Sequence, residues 1–370
     1  MRVLITGGAG FIGSHTADLL LQKGYKVRIL DNLSPKTHFG SWPDYLDEDI
    51  EKIKGDVRRK ADWQKALDKV DAVIHLAAFM DLINDFSLFS EINTKGTSLL
   101  YEAIVKYNLP IKKVVIASSQ FVYGEGRWHC PKHGEVYPKE RKLNDLEKGH
   151  WDPVCPIGQE KISPLPNLEI HQNPQNAYSI SKYTQELIGL RLGKLYDIPS
   201  VALRYSIVHG PRQSVKNFYS GALRIFAIQL LSERQPIVYE DGKQLRDYVS
   251  VFDVARANVL VLEDKRADFE VFNVGGGKGY SVLDLCNLIV NKFGKRFQPL
   301  IRNEFRLGDI RHAVSDIEKL TKLGWEPKVS EEEAISEYID WLKKQEVESG
   351  ILEEQEKSLR EMGILRRALS

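Results

Sequence analysis

Residues 1 to 13 constrain this chain more than any others, because an apolar run passes straight into a glycine loop and from there into a helical pattern. Arg2 to Thr6 read as a short buried strand. Gly7 supplies a tight turn, Gly10 lets backbone N–H groups approach a pyrophosphate, and Gly13 lets the next helix pack closely. Three glycines at this spacing also suit an ordinary turn. The following residues narrow the choice: a helical pattern from Ser14 to Gln22 ends at Gly24, and a second apolar strand, Tyr25 to Leu30, runs into Asp31. An acid about twenty residues past the loop is where a ribose hydroxyl would be bound. A carboxylate there repels a 2′-phosphate, and Asn32, Leu33 and Ser34 offer no arginine to receive one, so NAD is expected over NADP.

The same alternation of apolar strand and helix continues through Glu51 to Lys54, Ala72 to Leu76, Lys113 to Ala117 and Ser200 to Tyr205. Continuous apolar runs indicate a parallel sheet buried on both faces. The expected fold is therefore α/β, a Rossmann-like doubly wound parallel sheet with a smaller, discontinuous C-terminal substrate domain. The dinucleotide domain is expected over 1–205, with an insertion at about 125–173, and 246–274 is expected to return to it. The segment from Lys243 to Ala255 reads as re-entering the main sheet near Phe272. The second domain is expected from 206–245, including a helix around Leu223 to Ser232, and from 275–345. A charged extension, 346–370, carries scattered apolar residues (Ile351, Leu352, Leu359, Met362, Ile364, Leu365) that suit either a docked helix or a frayed tail.

With 370 residues, 42% hydrophobic content and a formal charge of +1, the composition suits a globular protein and gives no electrostatic basis for nucleic-acid binding. Met1 leads directly into the first strand, so no signal peptide is expected, and no apolar run has the length of a membrane span. A cytoplasmic enzyme is the expectation. Three cysteines do not make a disulfide framework.

Tyr178 and Lys182 stand four apart at the start of a helical pattern, which puts phenol and ammonium on one face. A nearby cation favours phenolate, drawing a tyrosine down from about 10 toward a working general acid/base. Tyr239 and Lys243 share the spacing but span a turn, Glu240 to Gly242, and are set aside. A third member is expected where the fifth strand ends, at Ser118 or Ser119, because ligands of open α/β sheets sit at the carboxyl ends of strands.

On these segments the chain resembles an extended short-chain dehydrogenase/reductase of the nucleotide-sugar epimerase/dehydratase group: Thr6 to Gly13, Asp56 with Val57, His75 to Ala78, Asn93 with Gly96 and Thr97, Ser118 to Gly124, Tyr178 with Lys182, Leu203 to Tyr205, Arg246 to Val249, and Arg306 to Asp309. The resemblance implies that Phe11, Ile12 and the backbone of Leu76, Ala77 and Ala78 line the pyrophosphate, that Asp31 and Asn32 meet the ribose end, and that Asp56 and Val57 meet adenine. It implies that Lys182 and Tyr178 also reach the nicotinamide ribose, that Asn93 orders the site from behind, and that Ser206 lies near the nicotinamide. Ser119 would be the catalytic hydroxyl. Arg246 and Arg306 would grip the diphosphate of the nucleotide sugar, unless they form ordinary ion pairs with Asp247 and Asp309. A homodimer is implied through helices near Asn93 to Tyr107 and Tyr178 to Leu192.

Departures from the family pattern narrow the reaction. Dehydratases of the group carry an Asp-Glu pair after the catalytic hydroxyl, where this chain has Gln120 and Phe121. Ile207 stands where UDP-galactose 4-epimerases usually have asparagine, which suits a less polar sugar such as a 6-deoxy sugar on dTDP. The expected reaction is NAD-dependent epimerisation of a nucleotide sugar at C4 through a 4-keto intermediate. The alternatives are a dehydratase or dehydrogenase/decarboxylase of the same family, or a non-catalytic NAD-binding regulator. Fifty-odd residues separate Tyr123 from Tyr178, more than related epimerases use there. They hold Cys130 with His133, and Cys155, in two runs resembling zinc knuckles. A structural zinc on Cys130, His133 and Cys155, with a fourth ligand from His129, His150, His171 or water, is one expectation. A degenerate knuckle without metal is the other.

Overall fold

The seven strands of the main sheet are all parallel and lie in the order β3-β2-β1-β4-β5-β9-β13. They are β1 (Arg2–Thr6), β2 (Lys26–Asp31), β3 (Glu51–Lys54), β4 (Ala72–His75), β5 (Lys113–Ser119), β9 (Ser200–Tyr205) and β13 (Val271–Val274). The structure, a computed structural model, describes residues 1–38, 40–81, 83–217 and 221–369. Strand order reverses between β1 and β4, which opens a crevice at their carboxyl ends. Central residues such as Val3, Ile5, Val73, Val115 and Val201 are buried, as parallel strands covered on both faces require. Three expected strands match their residues, while β5 runs on to Ser119 because Ser118 and Ser119 still pair with Arg204 and Tyr205. The first helix, Phe11–Gln22, begins three residues earlier than expected, directly after an extended Gly10.

One expectation about the path is corrected. The segment around Lys243 to Ala255 does not re-enter the main sheet: β12 (Leu245–Ser250) pairs with β10 (Ile207–His209) and β14 (Gly279–Ser281) in a separate three-stranded sheet. The chain leaves the main sheet at Ser206, and β10 then offers β12 an edge. Only afterwards does the helix Val251–Glu263 pack on Phe11–Gln22 and β13 take the place beside β9. A second core forms among the helices Gly221–Leu231, Val282–Lys292 and Glu331–Leu342, with Phe226, Leu285, Ile335 and Tyr338 buried together. Beside it, β11 (Ile237–Val238) pairs in parallel with β15 (Leu300–Ile301).

Two further pieces surround the carboxyl side of the second core. The insertion makes an antiparallel sheet in the order β7-β6-β8, from β6 (Trp128–Cys130), β7 (Gly134–Val136) and β8 (Ser163–Pro164). The C-terminal extension is a docked element: the helix Ile351–Glu361 leads to β17 (Leu365–Arg367), which pairs antiparallel with β16 (Glu304–Arg306). Leu359, Ile364 and Leu365 are buried there, at roughly 1.5–3 kcal/mol each relative to exposure, which is why the segment does not fray. Its end also reaches the insertion, through Leu369 N–H donating to the Glu147 carbonyl at 2.7 Å. Among the described residues no helix is long and apolar enough to cross a membrane.

Candidate active site

The glycine loop is packed as the spacing requires. Gly7 has φ +67°, and a Cβ there would lie 2.9 Å from Ala77 N; at Gly13 it would lie 2.3 Å from Gly7 O. The first N–H groups of the helix Phe11–Gln22 have no intrahelical acceptor and carry the positive end of its dipole at the mouth of the crevice. Asp31 is held by backbone, its carboxylate accepting from Ala9 N–H at 3.1 Å and Leu33 N–H at 2.9 Å. Burial raises its pKa, and these N–H groups oppose the shift. Asn32 is exposed at the end of β2 and hydrogen-bonds Asp56. Burial also works against ionisation of Asp56, but Arg58 outweighs it, gripping the carboxylate at 2.7 to 3.1 Å. Val57 is buried beside Gly96. These residues, with Phe11, Ile12, Leu76, Ala77 and Ala78, follow the carboxyl ends of β1, β2, β3 and β4, where the free N–H groups of the first helix suit an anionic ligand.

Asn176 begins the helix Ala177–Leu187 with a capping box, its side chain accepting from Ser179 N–H while the Ser179 hydroxyl accepts from Asn176 N–H. The first turn thus fixes Tyr178. Ser119, the last residue of β5, hydrogen-bonds the Tyr178 phenol, whereas Ser118 turns to the other face and donates to Glu186. Glu186 in turn pairs with buried Arg204 at 2.7 Å. Of the two serines, only Ser119 joins Tyr178.

The expectation that Lys182 draws the phenol's pKa down is not met. Desolvation pushes Tyr178 up to about 12, opposed by the hydrogen bond from Ser119. Lys182 Nζ donates to Gln185 Oε1 at 2.8 Å, and burial lowers this ammonium to about 7 against the pull of Glu186. In this arrangement Tyr178 is a neutral phenol.

Behind the lysine lies a chain of hydrogen bonds that spacing along the sequence does not show. Gln185 Nε2 donates to Thr97 Oγ1 at 2.7 Å, and Thr97 donates onward to the Asn93 carbonyl at 2.7 Å. His75 Nε2 meets the same Thr97 oxygen at 3.0 Å, so it must be the protonated nitrogen. His75 Nδ1 then accepts from Thr6 Oγ1 at 2.7 Å, and Thr6 accepts from Ala77 N–H at 3.1 Å. Burial, with Lys182 nearby, lowers His75 to about 3 and keeps it neutral. Asn93, also buried, donates to Ser181 Oγ at 2.8 Å and brackets the backbone of Phe79, so it ties the loop after β4 to the Tyr178 helix. An i to i+22 contact such as His75 to Thr97 has no local sequence signal.

The remaining expected residues are less direct. Ser206 donates to Asp247 at 2.7 Å, joining the end of β9 to β12. Burial raises Asp247 to about 7. Arg246 is buried and donates to the carbonyls of Leu245, Ile310 and Arg311, so it is not a surface ion pair. Arg306 pairs with Asp309 at 2.7 Å on the loop that Arg246 holds. Gln120, directly after Ser119, is 2% exposed, and neither amide atom has a partner among the described residues. A buried amide left unpaired costs about 1–3 kcal/mol, which marks a place for a polar ligand.

Beside this site the insertion is fastened by ion pairs around two arginines with buried side chains. Arg141 meets Glu125 at 3.3 Å and Glu240 at 2.9 Å; Arg311 meets Glu240 and Asp241 at 2.8 Å and Asp152 at 2.6 Å. Within the insertion Cys130, His133 and Cys155 do converge, and the fourth group beside them is Glu160. The histidines expected to complete the set lie elsewhere: His129 alternates with Cys130 on β6 and faces outward, His171 stacks at 4.1 Å on Tyr137, and exposed His150 is outside the group.

Comparison with known proteins gives a consistent picture. The model of the NAD dependent epimerase/dehydratase family matches residues 3–147 and 151–275. The chain is 33% identical over 353 residues to a dTDP-L-rhamnose 4-epimerase of Burkholderia thailandensis, covering 92% of this chain and 94% of that one. It is 34% identical over 345 residues to a putative UDP-glucose 4-epimerase of Methanocaldococcus jannaschii, covering 92% and 98%. Among solved structures, the UDP-glucose 4-epimerase of Thermus thermophilus in complex with NAD superposes with a TM-score of 0.74 at 29% identity, covering 94% of this chain and all of that one.

Proposed function

The chain belongs to the NAD dependent epimerase/dehydratase family, and on that premise we propose that it is an NAD-dependent nucleotide-sugar epimerase inverting C4 through a transient 4-keto sugar. The observation that carries the reading is the Ser119–Tyr178 hydrogen bond at the carboxyl end of β5, beside the glycine-loop crevice. NAD, when bound, supplies a hydride acceptor that returns the hydride within the same cycle. Gly7, Gly10, Gly13, Phe11, Ile12 and Leu76 to Ala78 would hold its pyrophosphate, Asp31 its adenosine ribose, and Asp56 and Val57 its adenine. Lys182, released from Gln185, would reach the nicotinamide ribose.

Tyr178 takes the sugar hydroxyl proton and gives it back, while Ser119 holds both oxygens in line. A neutral phenol cannot take that proton, so the forward step needs Tyr178 as phenolate, its own proton already given up to solvent, and a cation beside it favours that form. Lys182 can provide that charge only by leaving Gln185. Gln120 would hydrogen-bond the sugar and settle its two orphaned atoms. It cannot do the proton work that an aspartate in that place performs, which favours epimerisation over dehydration. Arg246 fixes the loop that carries Arg306, and Arg306 would exchange Asp309 for the diphosphate. Ile207, on β10, and the 33% identical relative acting on dTDP-L-rhamnose favour a dTDP 6-deoxyhexose as donor.

A homodimer accords with exposed apolar residues on the two helices expected to pair, Val105, Tyr107, Ile180 and Leu187. A cytoplasmic enzyme without nucleic-acid or membrane partners remains the reading of the composition. Zinc on the insertion would be structural, since its ligands stand in and beside the small sheet and not among Ser119, Tyr178 and Lys182.

The test is incubation with UDP-, dTDP-, GDP- and CDP-hexoses without added NAD, followed by NMR. Interconversion of one C4 epimer pair is expected. Loss of water from the sugar, or turnover that stops after one equivalent of NADH, would overturn the reading.

A further inference from the structure

Outside the active site, one cluster among the described residues brings thiol, imidazole and carboxylate to one point. Cys130 ends β6, His133 lies in the turn before β7, and Cys155 and Glu160 lie on the return of the insertion toward β8. Their ligand atoms are all within 4.8 Å of one another. His133 Nδ1 is 3.4 Å from each sulfur, Glu160 Oε2 is 3.6 Å from that nitrogen, and Cys130 Sγ is 3.9 Å from Glu160 Oε2.

A tetrahedron with metal bonds of about 2.3 Å to sulfur and about 2.0–2.1 Å to nitrogen and oxygen has S–N and S–O edges near 3.5–3.6 Å and an N–O edge near 3.4 Å. The observed separations lie close to those edges. We infer that Cys130, His133, Cys155 and Glu160 form a tetrahedral zinc site that closes the insertion.

Three further observations favour zinc over a merely hydrogen-bonded cluster. The carboxylate is divided in its tasks, with Oε1 paired to Lys132 at 2.9 Å and Oε2 turned toward the sulfur and the imidazole. Such an outer contact orients a metal ligand. Second, the N–H groups of Ile157 and Gly158 point at Cys155 Sγ, the outer donors that a metal-bound sulfur keeps. Third, both cysteines are fully buried against Trp128, Val136 and Ile162, so the sulfurs are screened from solvent while His133 and Glu160 close the outer side. Two thiolates with an imidazole select zinc over magnesium or calcium, and four protein ligands leave no open position for catalysis.

The metal would act at a distance. Closing residues 130–160 into one unit fixes Arg141, which meets Glu240, and Asp152, which meets Arg311.

Metal analysis of the full chain, purified without a polyhistidine tag from zinc-supplemented medium, should find about one zinc per chain. Cys130→Ser and Cys155→Ser should hold less than about a tenth of an equivalent. Glu160→Gln, at a partly exposed residue, should fold normally and release zinc to a chelator about tenfold or more faster than the parent. A thiol reagent should find Cys130 and Cys155 protected until the chelator is added. Wild-type protein with less than about a tenth of an equivalent after zinc loading, or equal zinc in the serine variants, would overturn the site. These readouts need no substrate, so they stand or fall apart from the proposed epimerase activity.

Discussion

The region behind the catalytic lysine and the collar formed by the insertion both bury polar groups, but in opposite ways. Behind Lys182 the partners are neutral: Thr6, His75, Thr97 and Gln185 pass hydrogen bonds without a single ion pair among them. In the collar they are charged, with Arg141 and Arg311 surrounded by Glu125, Glu240, Asp241 and Asp152. A neutral network leaves the field at the reacting atoms to the groups that do chemistry. Buried ion pairs do little for net stability, yet they penalise any mismatch heavily, which suits a joint between segments far apart in sequence.

Four measurements would break or sharpen this contrast. The largest effect is expected at the chemistry itself: Tyr178→Phe should lower turnover by about 10²–10⁴-fold while tight NAD binding persists, checked by NMR rates and bound-nucleotide content. Near-normal turnover would end the acid/base assignment. In the collar, Arg311→Met should cost about 3–5 kcal/mol in denaturant unfolding, because three carboxylates lose their common partner. Behind the lysine, Thr97→Val keeps the shape but removes the shared hydroxyl, and about 1–3 kcal/mol is expected. If Thr97→Val proved the costlier of the two, the contrast between neutral and charged burial would fail.

A comparable effect is expected with pH. Burial lowers His75 to about 3 and His15 to about 4, whereas both titrate near 6.5 when unfolded. Each therefore contributes stability that is complete above pH 6.5 and is lost as pH falls toward 4 and then 3, at about 1.4 kcal/mol per unit for each histidine. Asp247, raised to about 7, acts in the other sense, its contribution complete below 3.8 and lost as pH rises to 7. Unfolding followed from pH 6.5 to 4.5 should show a gentler fall for His75→Gln than for the parent, and parallel curves would remove His75 from the account.

What could be read beforehand follows the range of the forces involved. Apolar runs, the glycine loop and the i to i+4 pair Tyr178 and Lys182 are local, and the sheet and the Ser119–Tyr178 contact emerged as expected. Lys182 rests on spacing and on the family resemblance, and neither reveals that Gln185, one turn on, accepts its ammonium. Glu160 was missed because a knuckle pattern directs attention to cysteine and histidine, while its carboxylate comes within reach only through the fold of the insertion. The sparse apolar residues of the C-terminal extension suit either a docked helix or a frayed tail, and sequence does not choose between them. Their burial comes from the second core, which takes Ile351, and from the edge that β16 offers β17.

The histidine behind the active site has one more consequence. Donors from the glycine-loop side, Ala77, Thr6 and His75, and from the lysine side, Lys182 and Gln185, all converge on Thr97, which has a single proton to give and gives it to Asn93. That fixes the direction of every bond and shields one imidazole N–H from exchange with solvent. A slowly exchanging ring resonance in a chain with only nine histidines is a spectroscopic reporter. It would register the departure of Lys182 from Gln185 as ligands enter, without any label near the sugar.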